Sequence, residues 1–102
     1  MKPKGRPKKP RKIENKPHIL LFSPRGRPGR PNEVELKYEE LEALRLVDFD
    51  NLGQTESAKR MGISRQSFGR VLIKARKTVA DALVSGKIIR ITGGSYKIES
   101  VE

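Results

Sequence analysis

Cysteine is absent from this chain of 102 residues, and so is tryptophan. Without a thiol there is no disulfide framework, no thiolate nucleophile and no cysteine-held zinc or iron–sulfur centre. Histidine occurs once, as His18 beside Pro17. That setting suits a structural role better than a general base, and no Ser, His and acid trio assembles around it. No phosphate-loop pattern is present, and the acids of the central block lack a second ligand type at metal spacing. The expectation is a protein that is not an enzyme and that carries no cofactor and no metal. Long apolar runs are also missing. The longest, Ile19 to Phe22, falls far short of a secretory core or a spanning helix, so a soluble, cytoplasmic chain without a membrane partner is expected.

Apolar residues make up 34% of the chain, enough for one small core and therefore for one compact domain with a tail. Positive charge, by contrast, is abundant. Twenty-three Lys and Arg against twelve Asp and Glu give a net charge of +11, the footprint of a protein that meets polyanions. The charge is blocked along the chain. Residues 1 to 30 hold eleven bases and the single acid Glu14, residues 31 to 58 hold eight acids and two bases, and residues 59 to 97 hold ten bases against Asp81. One end of the folded part is expected to be acidic and the other basic.

Hydrophobic spacing predicts three helices. Leu36, Leu41, Ala43, Leu44, Leu46 and Val47 form a stripe ending near Phe49 or Asp50. Glu39, Glu40 and Glu42 near its start suit the positive end of the helix dipole and read as a solvated face. A two-turn helix fits Thr55 to Met61, with Gly62 as its left-handed cap. Ser64 then caps a longer helix with Phe68, Val71, Leu72, Ala75, Val79, Ala82 and Leu83 on its inner stripe, ended by Gly86. Beyond it, "KIIRI" and "SYKIE" flank Gly93-Gly94 as a predicted C-terminal β-hairpin, to which "HILLF" (18 to 22) adds a candidate strand.

Short helix, glycine turn, Ile63 as an inward plug, Ser64 cap and a helix with a basic outer face make up a helix-turn-helix pattern. In such a pattern the start of the last helix reaches base edges. Arg65 suits guanine or a phosphate, Gln66 suits adenine, Arg70 enters the same groove a turn later, and Ser67 is short enough for base or phosphate. Thr55, Lys59, Arg60, Ser64, Lys74 and Lys77 are candidates for flanking phosphates. Arg6, Lys8, Lys9, Arg11, Arg25 and Arg27 belong to the basic arm. Within it, Lys2 to Lys12 reads as a disordered phosphate-binding tail. Pro24 to Pro28, "PRGRP", has the form of an AT-hook core; a loop packed on the helices is the preferred reading, and minor-groove binding the alternative.

The stretches "EALRL", "ARKTVADAL" and "GKIIRITGG", with "RPKKPRKI" and "FSPRGRP" upstream, resemble those of a small prokaryotic family of uncharacterised, predicted DNA-binding proteins whose helix-turn-helix is similar to region 4 of sigma factors. The resemblance implies a winged helix-like DNA-binding domain. It places Arg65, Gln66 and Arg70 at base-contacting positions and Thr55 near a backbone-contacting helix start. Gly69 departs from the pattern, which often has a basic residue there, so the target sequence does not transfer.

The expected architecture is therefore mainly α. A basic disordered tail covers residues 1–17, an extended segment and packed loop 18–35, a three-helix helix-turn-helix domain of sigma region 3/4-like form 36–86, and a small C-terminal β-hairpin 87–102. The expected function is sequence-specific binding of double-stranded DNA by a transcriptional regulator associated with the nucleoid, with the helix at about 65–85 in the major groove. Homodimerisation through that helix or the ribbon edge is compatible with this reading. The alternatives are an RNA-binding or ribosome-associated basic protein, against which the scarcity of stacking aromatics argues, and an interaction module that sets its acidic first helix against transcription machinery.

Overall fold

A computed structural model describes residues 10–26, 29, 31–94 and 96–98. Three short strands precede the helices: β1 (Arg11–Ile13), β2 (Leu21–Phe22) and β3 (Glu33–Lys37). α1 (Tyr38–Leu44) continues through a π-helical turn at Arg45–Phe49, and α2 (Gln54–Met61) and α3 (Arg65–Ser85) follow. The chain then returns through β4 (Ile88–Thr92) and β5 (Tyr96–Ile98). The result is three helices on two small sheets.

α3 joins two apolar clusters. Its first half sets Phe68 and Leu72 among Ala43, Leu46, Ala58 and Met61, with Ile63 and Leu52 packed at the edge. One turn on, Ala75 enters a second cluster with Ile13, Leu36, Tyr38 and Ile91. Phe68, Ile13, Leu46, Met61 and Leu72 are sealed from solvent, and burying each such side chain favours folding by about 1.5–3 kcal/mol.

The helix ends follow local chemistry. Gly62 has φ 68°; its N–H donates to the Lys59 carbonyl, and the Ile63 N–H reaches back to that of Ala58. This closes the last turn of α2 and presses Ile63 onto the core. Ser64 is extended, and its Oγ accepts from the Ser67 N–H at 3.0 Å, which starts α3. Gly86, φ 66°, ends it.

Four expectations are corrected. First, Leu36 and Lys37 are not helical. "EVELK" forms β3, parallel to β4 in the register Glu33↔Ile88 to Lys37↔Thr92, because Leu36 gains burial in alternation with exposed Glu35. Second, the C-terminal strands do not pair with each other. β4 is the centre of a sheet ordered β2-β4-β3, so both its edges are already filled, and β5 pairs in parallel with β1. β2, within "HILLF", does join β4, antiparallel, over Leu21 and Phe22. Third, the chain is ordered well before residue 17, since Ile13 is 1% exposed and is needed to complete the second cluster. Fourth, Leu83 is 75% exposed; Ala82 takes the inward position at that turn, and the next residue is rotated about 100° away from it.

Candidate nucleic-acid interface

The acids of α1 turn inward rather than forming a solvated face. Glu39, Glu40 and Glu42 are all buried, because the N-terminal segment and the turn after β4 cover that side of the helix. Glu40 accepts the Lys37 backbone N–H at 2.9 Å, the reciprocal half of a capping box. Gly94 lies against the Glu39 carboxylate, where a Cβ would come within 2.5 Å. Glu42 accepts the Glu14 N–H at 3.0 Å and holds the Arg45 guanidinium at 2.8 and 2.9 Å. Arg45 also reaches Glu14 at 2.6 Å and Asp50 at 2.9 Å. Its hydrogen bonds to Glu42 first, and then to Glu14, raise its pKa above the ordinary arginine value and fix its charge. Arg45 thus ties the strand side of the molecule to the end of the α1 helix.

Other ion pairs consume further charge. Arg76 grips Asp48 at 2.7 and 3.1 Å, and that hydrogen bonding holds the Asp48 carboxyl below its usual range. Arg90 does the same to Glu33 across the sheet, as Lys87 does to Asp81 with help from Ser85. Arg60, a phosphate candidate, is drawn towards Glu56 at 3.5 Å and Glu14 at 3.7 Å.

The outer face of α3 is different. Arg65, Gln66, Arg70, Lys74 and Lys77 are all exposed, with Ser67 half-buried behind the Ser64 cap. Among the described residues, none forms an ion pair with Arg65, Arg70 or Lys74. Lys77 stands one turn before Asp81 and adds, after Lys87 and Ser85, to the pull that holds that carboxyl below its usual range. Thr55 and Lys59 are exposed on α2. The side chain of Lys12 lies along the turn between α2 and α3, its methylenes 3.4 Å from where a Cβ on Gly62 would stand. The described chain therefore begins beside that turn, with Arg11 half-buried in β1 and Arg25 exposed in a loop. Arg6, Lys8, Lys9 and Arg27 lie outside the described residues, as does part of "PRGRP". His18 is exposed between β1 and β2.

Sequence reasoning missed the Arg45 hub and the inward acids. One signal was available: Glu14 is the single acid among the first thirty residues, and an isolated acid in a basic tract marks a specific partner. Among the described residues no group of three or more His, Cys, Asp or Glu could hold a metal ion, and no helix is long and apolar enough to cross a membrane.

Residues 1–99 match a family described as "Protein of unknown function DUF134". The chain belongs to this family. A UPF0251 protein of Methanococcus maripaludis strain C5 is 56% identical over 96 residues, covering 93% of this chain and 74% of the relative. One of Methanosarcina acetivorans is 53% identical over 94 residues, covering 91% and 84%. One of Caldicellulosiruptor bescii is 54% identical over 91 residues, covering 89% and 64%. No solved structure matches.

Proposed function

We propose that this DUF134 member is a sequence-specific double-stranded DNA-binding protein, a transcriptional regulator whose α2, Gly62 turn and α3 act as a helix-turn-helix of the sigma region 4 kind. α3 is its recognition helix. The observation that carries the reading is the sorting of cations. Arg45, Arg76, Lys87 and Arg90 are committed to carboxylates, whereas Arg65 and Arg70 stay exposed beside Gln66 on one capped helix, with no ion pair among the described residues. A side chain that only held the fold together would have a protein partner. One without a partner is available to an anion or a base edge.

In this reading Arg65, Gln66 and Arg70 enter the major groove, and Lys74, Lys77, Thr55 and Lys59 hold phosphates on either side. The basic residues upstream of Pro10 add sequence-blind contacts to the DNA backbone. Such binding would keep the protein on the nucleoid. The interaction-module reading loses support, since the α1 acids it requires are buried.

The test is an alanine series on a duplex site selected from random sequence by the full chain. Gln66→Ala or Arg65→Ala is expected to cost about 1–3 kcal/mol at that site and to relax the base preference. Lys74→Ala should weaken all duplexes alike. Uniform behaviour of the three variants would mean that α3 does not read bases.

A further inference from the structure

On the same face of α3, Gly69 and Ile73 have no explanation within the fold. Ile73 is 70% exposed although it sits in the middle of a long helix, where its β-branch is unfavourable and nothing in the core needs it. Gly69 weakens the helix relative to alanine, yet no close packing requires it. A Cβ there would stand 3.2 Å from the flexible end of Arg65 and otherwise meet open space. Gln66, Gly69, Arg70 and Ile73 follow the i, i+3, i+4, i+7 spacing of one helix face, the spacing at which a helix lying in the major groove presents residues to successive bases. A helical side chain leans over the turn that precedes it, so Ile73 leans towards Gly69, where the flexible end of Arg65 is the one neighbour a Cβ would meet.

The geometry points to Ile73, unshadowed by Gly69, as a specificity-determining residue that reads the 5-methyl group of a thymine in the major groove. The inference rests on the duplex-DNA reading above and extends it to the chemistry of one base. The major-groove edge of thymine combines an acceptor with a methyl group, and apolar side chains are the ones that distinguish that methyl. Glycine lets the helix approach closely enough for an aliphatic group one turn on to touch it.

The test uses the selected duplex and copies in which thymines are replaced one at a time by deoxyuridine, which removes the methyl and keeps every hydrogen-bonding edge. For the unmodified protein, affinity is expected to fall about fourfold at one or two positions, the value of one buried methyl. Ile73→Ala should bind more weakly and lose the distinction between thymine and uracil at those positions. Gly69→Ala should fold with a raised Tm and lose the same distinction, a combination that no folding defect produces. Specific binding that is indifferent to every replacement would overturn the role of Ile73 and leave the DNA reading standing. So would a thymine preference that survives Ile73→Ala, or an Ile73→Ala variant that binds every duplex like the unmodified protein. Failure to prefer any duplex sequence would overturn the DNA reading itself, and the inference with it.

Discussion

Ile13 and Arg45 show how single residues hold the N-terminal segment to the domain. Ile13 fills the second cluster beside Leu36, Tyr38 and Ile91, and the adjacent Glu14 is clamped by Arg45. Ile13→Ala is expected to lower the free energy of unfolding by about 2–5 kcal/mol, measured by urea denaturation. A loss below about 0.5 kcal/mol, the range of surface substitutions, would mean that β1 contributes nothing to the core. Neither residue was legible in its full role. "RKIEN" sits in a basic, proline-broken stretch whose composition reads as a tail, and one isoleucine gives no periodicity. Arg45 looks like a stray base in an acidic block until the fold brings Glu14 to it across 31 positions. Ser64, Gly62 and Gly86 were legible because a cap acts within a few residues of itself.

At the scale of elements, the helices after Asp50 follow the sequence pattern closely, since their stops and starts are set by local backbone chemistry. The strands do not, because which edge a strand joins depends on distant partners. "KIIRI" and "SYKIE" flank a glycine pair that favours a hairpin, yet β4 gains two partners by lying between β2 and β3. "EVELK" has a strand's alternation but runs directly into α1, so Leu36 fits either pattern. The turn between α2 and α3 sets the angle at which the outer face of α3 is presented. Gly62→Ala places a side chain at φ 68° and against the Lys12 methylenes, and should cost about 1–2 kcal/mol of stability. Its denaturation midpoint measures the loss. A midpoint equal to that of the unmodified protein would show that the turn carries no left-handed strain.

The charge of the whole molecule is less evenly divided than the sequence blocks suggest. The acidic block is largely spent within the fold: Glu39, Glu40 and Glu42 are buried, Glu33, Asp48 and Asp50 are paired with arginine, Glu56 lies near Arg60, and Glu35 is left exposed. Among the described residues, Arg65, Arg70, Lys74 and Lys77 stand exposed together on α3. Acid should loosen this arrangement. Hydrogen bonds from Arg90, Arg76 and Lys87 lower the pKa values of Glu33, Asp48 and Asp81 in the folded state. The stability they contribute is present above the unfolded carboxylate pKa of about 4 and is lost as pH falls through the lower folded values. The urea midpoint should therefore be level from pH 7 to about pH 5 and fall below about pH 4, modestly, since these pairs lie at the surface. A midpoint that rises on acidification would contradict the pairing.

The central claim is that the exposed cations on the outer face of α3 and the basic arm serve duplex DNA. Its most direct measurement is a titration of the full chain against duplex DNA and single-stranded RNA of equal length at several salt concentrations. The account predicts tighter binding to the duplex and a log–log salt slope steeper than about −4, since each phosphate neutralised on B-form DNA contributes about −0.9. Equal or tighter binding to RNA, or duplex affinity that hardly changes with salt, would contradict it.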